Sequence, residues 1–170
     1  MDARLEKLHR ALSESLDGMT GEAMSWHPPG KWCVAEVLEH LYLTYTGTVK
    51  GFGRVADAGK PLVTAVTWRQ RSRVLVVVGF SHMPRGRKAP PHTQPRGLPP
   101  EKVRVEIMTA LRQMDEIITR CEAAFGGRNK LLDHPILGPL TAAQWRKFHL
   151  VHGLHHVKQI HRLRQVATKN

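Results

Sequence analysis

Four stretches of this chain carry apolar residues three and four positions apart, and turn-forming residues separate them. That spacing puts the apolar side chains on one face of a helix, and each face needs another to bury it. In residues 2–17 the stripe is Leu5, Leu8, Leu12 and Leu16, and Asp17-Gly18 ends it. A second helix is expected to start near Cys33 and run to about residue 58. Its apolar face is Val34, Val37, Leu38, Leu41, Tyr45 and Val49, and it weakens near Gly51 and Gly53. Glu36 stands where a capping box places its acid, although Cys33 is a poor substitute for the usual hydroxyl. The third helix opens at Pro99-Pro100-Glu101, where the first turn tolerates proline, and Gly126-Gly127 stops it. Val103, Ile107, Leu111, Met114 and Ile118 form its stripe. Thr141-Ala142-Ala143-Gln144 is a capping box for the fourth helix, which is expected to reach about Val166. The fold class is therefore all-α, a bundle of four sizeable helices.

The connections are uneven. Residues 18–31 read as a loop carrying Trp26 and a Pro28-Pro29-Gly30 turn. Residues 60–100 form a long connection between the second and third helices. Within it, Trp68 to Phe80 reads as a short helix, since no partner strand is visible elsewhere. The segment from Met83 to Pro100 holds six prolines and two glycines, which excludes a regular helix or a central strand. It is expected as a strap or loop of the kind that often carries function. The loop 128–140 contains His134-Pro135 and Gly138-Pro139. At 170 residues the chain is read as a single domain, 1–170.

Composition removes several function classes. No apolar run approaches the roughly 18 residues of a membrane span, so no membrane partner is expected. The N-terminus is charged and amphipathic, without the apolar core of a secretory signal, and a cytoplasmic location is the expectation. Cys33 and Cys121 share no CxxC spacing, so neither a disulfide framework nor a thiolate zinc site organises the chain. Lys plus Arg is 26 against 14 for Asp plus Glu, a net charge of +12. Residues 58–100 hold eight basic and no acidic residues, and residues 134–170 hold six and none. Such blocks can bind nucleic acid or draw in an anionic small molecule. No nucleic-acid recognition motif is present and the blocks lack interleaved aromatics, which disfavours nucleic acid as a partner.

Histidine carries the chemical signal. Five of the eleven histidines lie between His149 and His161. His152 and His156 are four apart and project from one helix face, a spacing at which two imidazoles can share one divalent metal. Gly153 occupies the place where the HExxH arrangement has its glutamate, so that protease motif is absent. Trp145, His149, His152, His156, Gln159 and Leu163 follow the seam that points into the bundle, where leucines would otherwise stand. Buried neutral imidazoles are costly unless each finds partners, and a metal occupies one nitrogen of each ring. The alternative is a pair of hydrogen-bonded core histidines. His40, at the border of the second helix's apolar face, completes a three-histidine set with His152 and His156.

These residues resemble a known family. Trp32-Cys33-Val34-Ala35-Glu36-Val37-Leu38-Glu39-His40-Leu41 is similar to the W-S-x-x-E-x-x-x-H-L signature of the DinB/YfiT-like superfamily. His152-Gly153-Leu154-His155-His156-Val157-Lys158-Gln159-Ile160 is similar to its H-x-x-H-H-x-x-Q-I signature, and His134 to Thr141 resembles one branch's H-P-x-x-G-x-L-T. Trp26 to Lys31 also fits the approach to the first signature, and the resemblance spans about residues 5–165. It implies an up-down-down-up four-helix bundle with a divalent metal, zinc or nickel, on His40, His152 and His156. It also implies either transfer of a low-molecular-weight thiol to an electrophile or hydrolysis, and makes a homodimer plausible. Cys33 departs from the usual serine, and the proline-rich strap is a further departure.

Three imidazoles leave an open position for a water or a thiol, the pattern of a catalytic site acting on a small-molecule substrate. A noncatalytic metal-binding or interaction module on the same scaffold is the competing reading. Glu36, His149 and Gln159 are the candidates for groups that orient the ligands or pass a proton. His155 is expected to face another helix, and His134 to be structural. Trp32, Trp145 and Tyr45 are candidate pocket walls or core. Cys33 reads as a small buried residue, and Cys121 is assigned no role. Arg85, Arg87, Lys88 and Arg96 of the strap are candidates for drawing substrate anions to the pocket mouth.

Overall fold

The computed structural model describes residues 1–83 and 88–167. Helix α1 spans Ala3–Leu16, α2 Gly21–Ser25, α3 Val34–Ala58 and α4 Trp68–Val74. A π-helical turn, Leu75–Gly79, continues α4, and a 3-10 turn at Pro91–Thr93 interrupts the strap. Helix α5 spans Pro100–Phe125 and α6 Ala142–Ala167. Between them lie β1, Leu132–His134, and β2, Gly138–Leu140.

The fold is mostly helical, and the stripes read from the sequence are buried. Leu5, Leu8 and Leu12 of α1, Leu38 and Leu41 of α3, Ile107, Leu111 and Met114 of α5 and Ile160 of α6 have no exposed surface. The most extensive packing pairs α3 with α5 and α1 with α6, while α6 also meets α3 and α5. The approach of α1 to α6 is close enough to require glycine. A Cβ on Gly153 would sit 2.4 Å from the Leu8 Cδ1 atom, inside the fully packed core. Gly153 thus serves helix packing.

Local chemistry sets the helix ends. The Thr141 hydroxyl accepts from the Gln144 N–H at 3.2 Å, and the Gln144 side-chain oxygen accepts from the Thr141 N–H at 3.1 Å. Cys33 stands at the N-cap of α3, where the Glu36 carboxylate accepts from its N–H at 2.9 Å. Arg146 on α6 is buried. Arg146 donates to Asp115 at 3.0 Å and Thr119 at 2.8 Å, and pairs with Glu122, locking α6 to α5.

Three sequence expectations change. Residues 18–31 hold a one-turn helix, α2, capped by the Thr20 hydroxyl. The segment 128–140 forms a small antiparallel hairpin with Leu132 opposite Leu140 and His134 opposite Gly138. Gly138 has φ +73°, a left-handed conformation that glycine adopts without strain. Strands of three residues, one of them with Pro139 at its centre, give too little alternation to be read from the sequence. The strap is not wholly irregular, because it contains the turn at Pro91–Thr93. Arg85 and Arg87 lie outside the described residues.

Candidate metal centre

Helix α3 carries His40 and α6 carries His152 and His156 to one point. The His40 Nε2 atom is 3.3 Å from His152 Nε2, which is 3.1 Å from His156 Nε2. The ligand atoms of these three residues lie within 4.8 Å of one another and can hold a metal ion. Metal–imidazole distances of about 2.0–2.1 Å give N···N edges of about 2.9 Å at right angles and about 3.3 Å at tetrahedral angles. The observed separations fall in that interval.

The outward nitrogens fix two of the rings. His40 Nδ1 lies 2.8 Å from the Thr93 carbonyl oxygen. A carbonyl only accepts, so the proton sits on Nδ1 and the Nε2 lone pair faces inward. His156 Nδ1 lies 3.0 Å from the Gln159 Oε1 atom, with the same consequence. His152 Nδ1 is buried and has no hydrogen-bond partner among the described residues. A proton on its Nε2 satisfies at most one of the two facing lone pairs. A cation at the convergence point satisfies all three Nε2 atoms, so the donor set fits a metal.

Protonation is a poor substitute for that cation. Burial lowers the pKa of His40, although the Thr93 contact works against it. Burial and the neighbouring imidazoles push His156 down to about 3 and hold His152 well below the ordinary value. His152 opens onto a cavity and is half-buried, whereas His40 and His156 are nearly closed off.

That cavity has a volume of about 500 Å³. The three histidines lie on its wall with Trp32, Phe148 and Lys88. Phe148 stacks on His152, with ring centroids 5.5 Å apart and planes 9° apart. Asp133 also lines it. One of its oxygens accepts from the Thr64 N–H at 3.0 Å, and the other is buried without a partner among the described residues.

The other expected site residues are placed differently. Glu36 caps α3 and also lies 3.5 Å from the His27 ring, while the outward partner of His40 is Thr93. His149 is fully buried below the centre. Its Nε2 atom is 3.1 Å from the Thr48 hydroxyl, and its ring stacks on Trp145 at 5.7 Å. Burial, with His134 nearby, pushes its pKa down to about 3. His134 organises the hairpin turn: its Nδ1 atom accepts from the N–H groups of Ile136 and Leu137, both at 3.1 Å. Trp32 and Trp145 line the cavity, whereas Tyr45 is a fully buried core residue beside His149. Arg96 presents its backbone N–H to Glu39, and of the strap cations Lys88 lines the cavity. Both cysteines are buried and free. His27, Cys33 and Glu36 also bring ligand atoms within 4.8 Å, but burial raises the Cys33 thiol and Glu36 is committed to the cap.

Two contributors escaped the sequence reading. The buried Glu39 carboxylate accepts from three consecutive N–H groups, those of Arg96 at 2.8 Å and of Gly97 and Leu98 at 3.0 Å. Together with the His40–Thr93 contact, it clamps the strap to α3. An acid inside an apolar stripe, Leu38-Glu39-His40-Leu41, was the available signal. The Thr93 carbonyl is a backbone group with no side-chain signature.

The chain matches the family model described as "Protein of unknown function (DUF1569)" over residues 1–163, and it belongs to that family. No curated protein and no solved structure matches it. The family is distinct from DinB, so the DinB/YfiT-like resemblance is corrected. Two histidines one helical turn apart and a third on a neighbouring helix answer to the geometry of one metal. That pattern does not define a family.

Proposed function

We propose that this chain is a metal-dependent enzyme whose three histidines, His40, His152 and His156, hold one divalent cation at the wall of a small-molecule cavity. The observation that carries the reading is the convergence of three Nε2 atoms at 3.1 and 3.3 Å, with the Nδ1 protons of two rings committed outward. Imidazole donors suit zinc and nickel. When bound, such an ion supplies Lewis acidity that turns a water or a thiol into a nucleophile near neutral pH. Hydrolysis and thiol transfer are the two reactions this serves.

The chain's own residues do the remaining work. Thr93 and Gln159 orient His40 and His156 and fix their tautomers. Phe148 holds the His152 ring by stacking. Trp32, Phe148 and Pro90 give the cavity apolar walls, and Lys88 and Arg54 add cationic points on its lining. A volume of about 500 Å³ suits a small molecule. We read α1, α3, α5 and α6 as one four-helix bundle and the chain as one domain, with the family match over residues 1–163 as support.

The test compares metal-loaded and chelator-stripped protein on an activated ester and on a thiol with a chromogenic electrophile. Turnover that requires zinc or nickel and disappears in His152→Ala is the expected result. Tight metal binding without turnover on either substrate class would leave the noncatalytic module as the better reading.

A further inference from the structure

The outer face of α4 and its π-turn is apolar, exposed and ringed by arginine. Among the large apolar side chains that are exposed, Val63, Val66, Trp68, Leu75, Val76 and Phe80 fall within one short stretch of chain. Trp68 and Phe80 are each 73% exposed, although most of the chain's aromatics are packed. The segment already has an inner apolar face, since Val77 is buried and Val74 and Val78 pack against the core. Trp68, Ser72, Leu75 and Val76 therefore make a second, outward stripe that the fold does not use. Around the helix, Arg71 borders that stripe on one side and Arg69 and Arg73 on the other, all three exposed. No acidic residue occurs anywhere in residues 58–100.

We infer that this stripe docks the protein on an anionic lipid surface. An apolar band bearing Trp, Leu and Phe with arginines along its borders seats its apolar residues among acyl chains and its cations at anionic headgroups. Lying on a bilayer differs from crossing it, and no helix of the described residues is long and apolar enough to cross one. Charge selects lipid over a second copy of the chain. A two-fold contact through this stripe would set the three arginines of one protomer against those of the other, with no acid in the segment to separate them. The stripe also adjoins the metal-site cavity. A groove of about 210 Å³ beside Val76 and Val77 shares Met83, His134, Ile136 and Phe148 with the larger cavity.

The full chain is tested by cosedimentation with vesicles of phosphatidylglycerol and phosphatidylcholine in equal parts, and with pure phosphatidylcholine vesicles. Wild type is expected to sediment with the anionic vesicles at low salt and to stay in solution with the neutral ones. Trp68→Ser/Phe80→Ser keeps the net charge and alters only exposed side chains, so far-UV circular dichroism should be unchanged. This double variant is expected to lose affinity for anionic vesicles by about tenfold or more. Arg69→Gln/Arg71→Gln should weaken binding most at low salt. Failure of wild type to bind anionic vesicles at low salt overturns the inference. So does undiminished binding by the Trp68/Phe80 variant, which would trace the effect to overall charge. A dimer in analytical ultracentrifugation that the same variant abolishes, without vesicle binding, would assign the stripe to a second copy.

Discussion

Helix α6 buries histidines in two neighbouring places, and they are built oppositely. At His152 and His156, with His40, ring nitrogens point at one another across 3.1 and 3.3 Å. At His149 and His134, one turn and one hairpin away, a ring nitrogen faces a hydroxyl or backbone N–H groups, and the rings pack against Trp145 and Phe148. Burial lowers the pKa in both places, so a depressed pKa does not separate a ligand from a core residue. What separates them is where the lone pairs go. In the lower group His134 Nδ1 accepts two backbone N–H groups and His149 Nε2 meets the Thr48 hydroxyl, although His149 Nδ1 is buried without a partner among the described residues. In the upper group three ring nitrogens converge where a cation can satisfy them together.

The largest effect should come from removing a converging ring. His40→Ala or His152→Ala is expected to lower zinc affinity in calorimetric titration by about a hundredfold or more, above the 10–100-fold typical of losing an outer partner. His149→Ala should leave affinity nearly unchanged while lowering stability by about 2–4 kcal/mol in urea denaturation, from lost packing and a lost hydrogen bond. Equal loss of metal in both kinds of variant would erase the distinction drawn between the two places.

Next in size is the thermal shift. A ligand that binds only the folded state stabilises it by about 4 kcal/mol at a thousand times its Kd. Zinc should therefore raise the melting temperature of wild type by several degrees and leave His156→Ala unmoved. Removing the outward partner in Gln159→Ala should cost about 10–100-fold in affinity with little change in the metal-free melting temperature.

Much of this contrast was legible in the sequence, and the reasons are local. The i, i+4 pair and the inward seam follow from helix geometry alone, as do the stripes of Leu5, Leu8 and Leu12 and the Thr141–Gln144 cap. The sequence kept His149 out of the ligand set but left open whether it orients a ligand, passes a proton or packs in the core, because it lies on the same seam three residues before His152. Only its depth beside Thr48 and Trp145 distinguishes it. Glu36 stood as a candidate both to cap α3 and to orient a ligand histidine. It serves the helix end, and the carbonyl of Thr93, 53 residues away in the chain, orients His40. Backbone acceptors leave no mark in a residue pattern. The hairpin escaped for a related reason, since Pro135 and Pro139 leave too few alternating positions to register as strands.

A last contrast is the pH dependence of the lower group. Folding lowers the pKa of His149 to about 3 and of His134 to about 4, below the unfolded value near 6.5. A group depressed on folding contributes stability above its unfolded pKa and loses it as pH falls toward the folded one. Urea stability should thus be insensitive to these two rings above pH about 6.5. Below that it should fall by at most about 1.4 kcal/mol per pH unit for each ring, down to pH 3–4. In His149→Phe that slope should be shallower, and an unchanged slope would mean that His149 does not enter the fold as a neutral ring.

The central claim, that His40, His152 and His156 form one metal site, is tested most directly by elemental analysis. Untagged wild type, incubated with zinc and nickel and then desalted, is measured beside folded His40→Ala and His152→Ala. The account predicts about one zinc or nickel ion per chain in wild type and none above background in either variant. Wild type that retains no metal, or variants that retain as much as wild type, would contradict it.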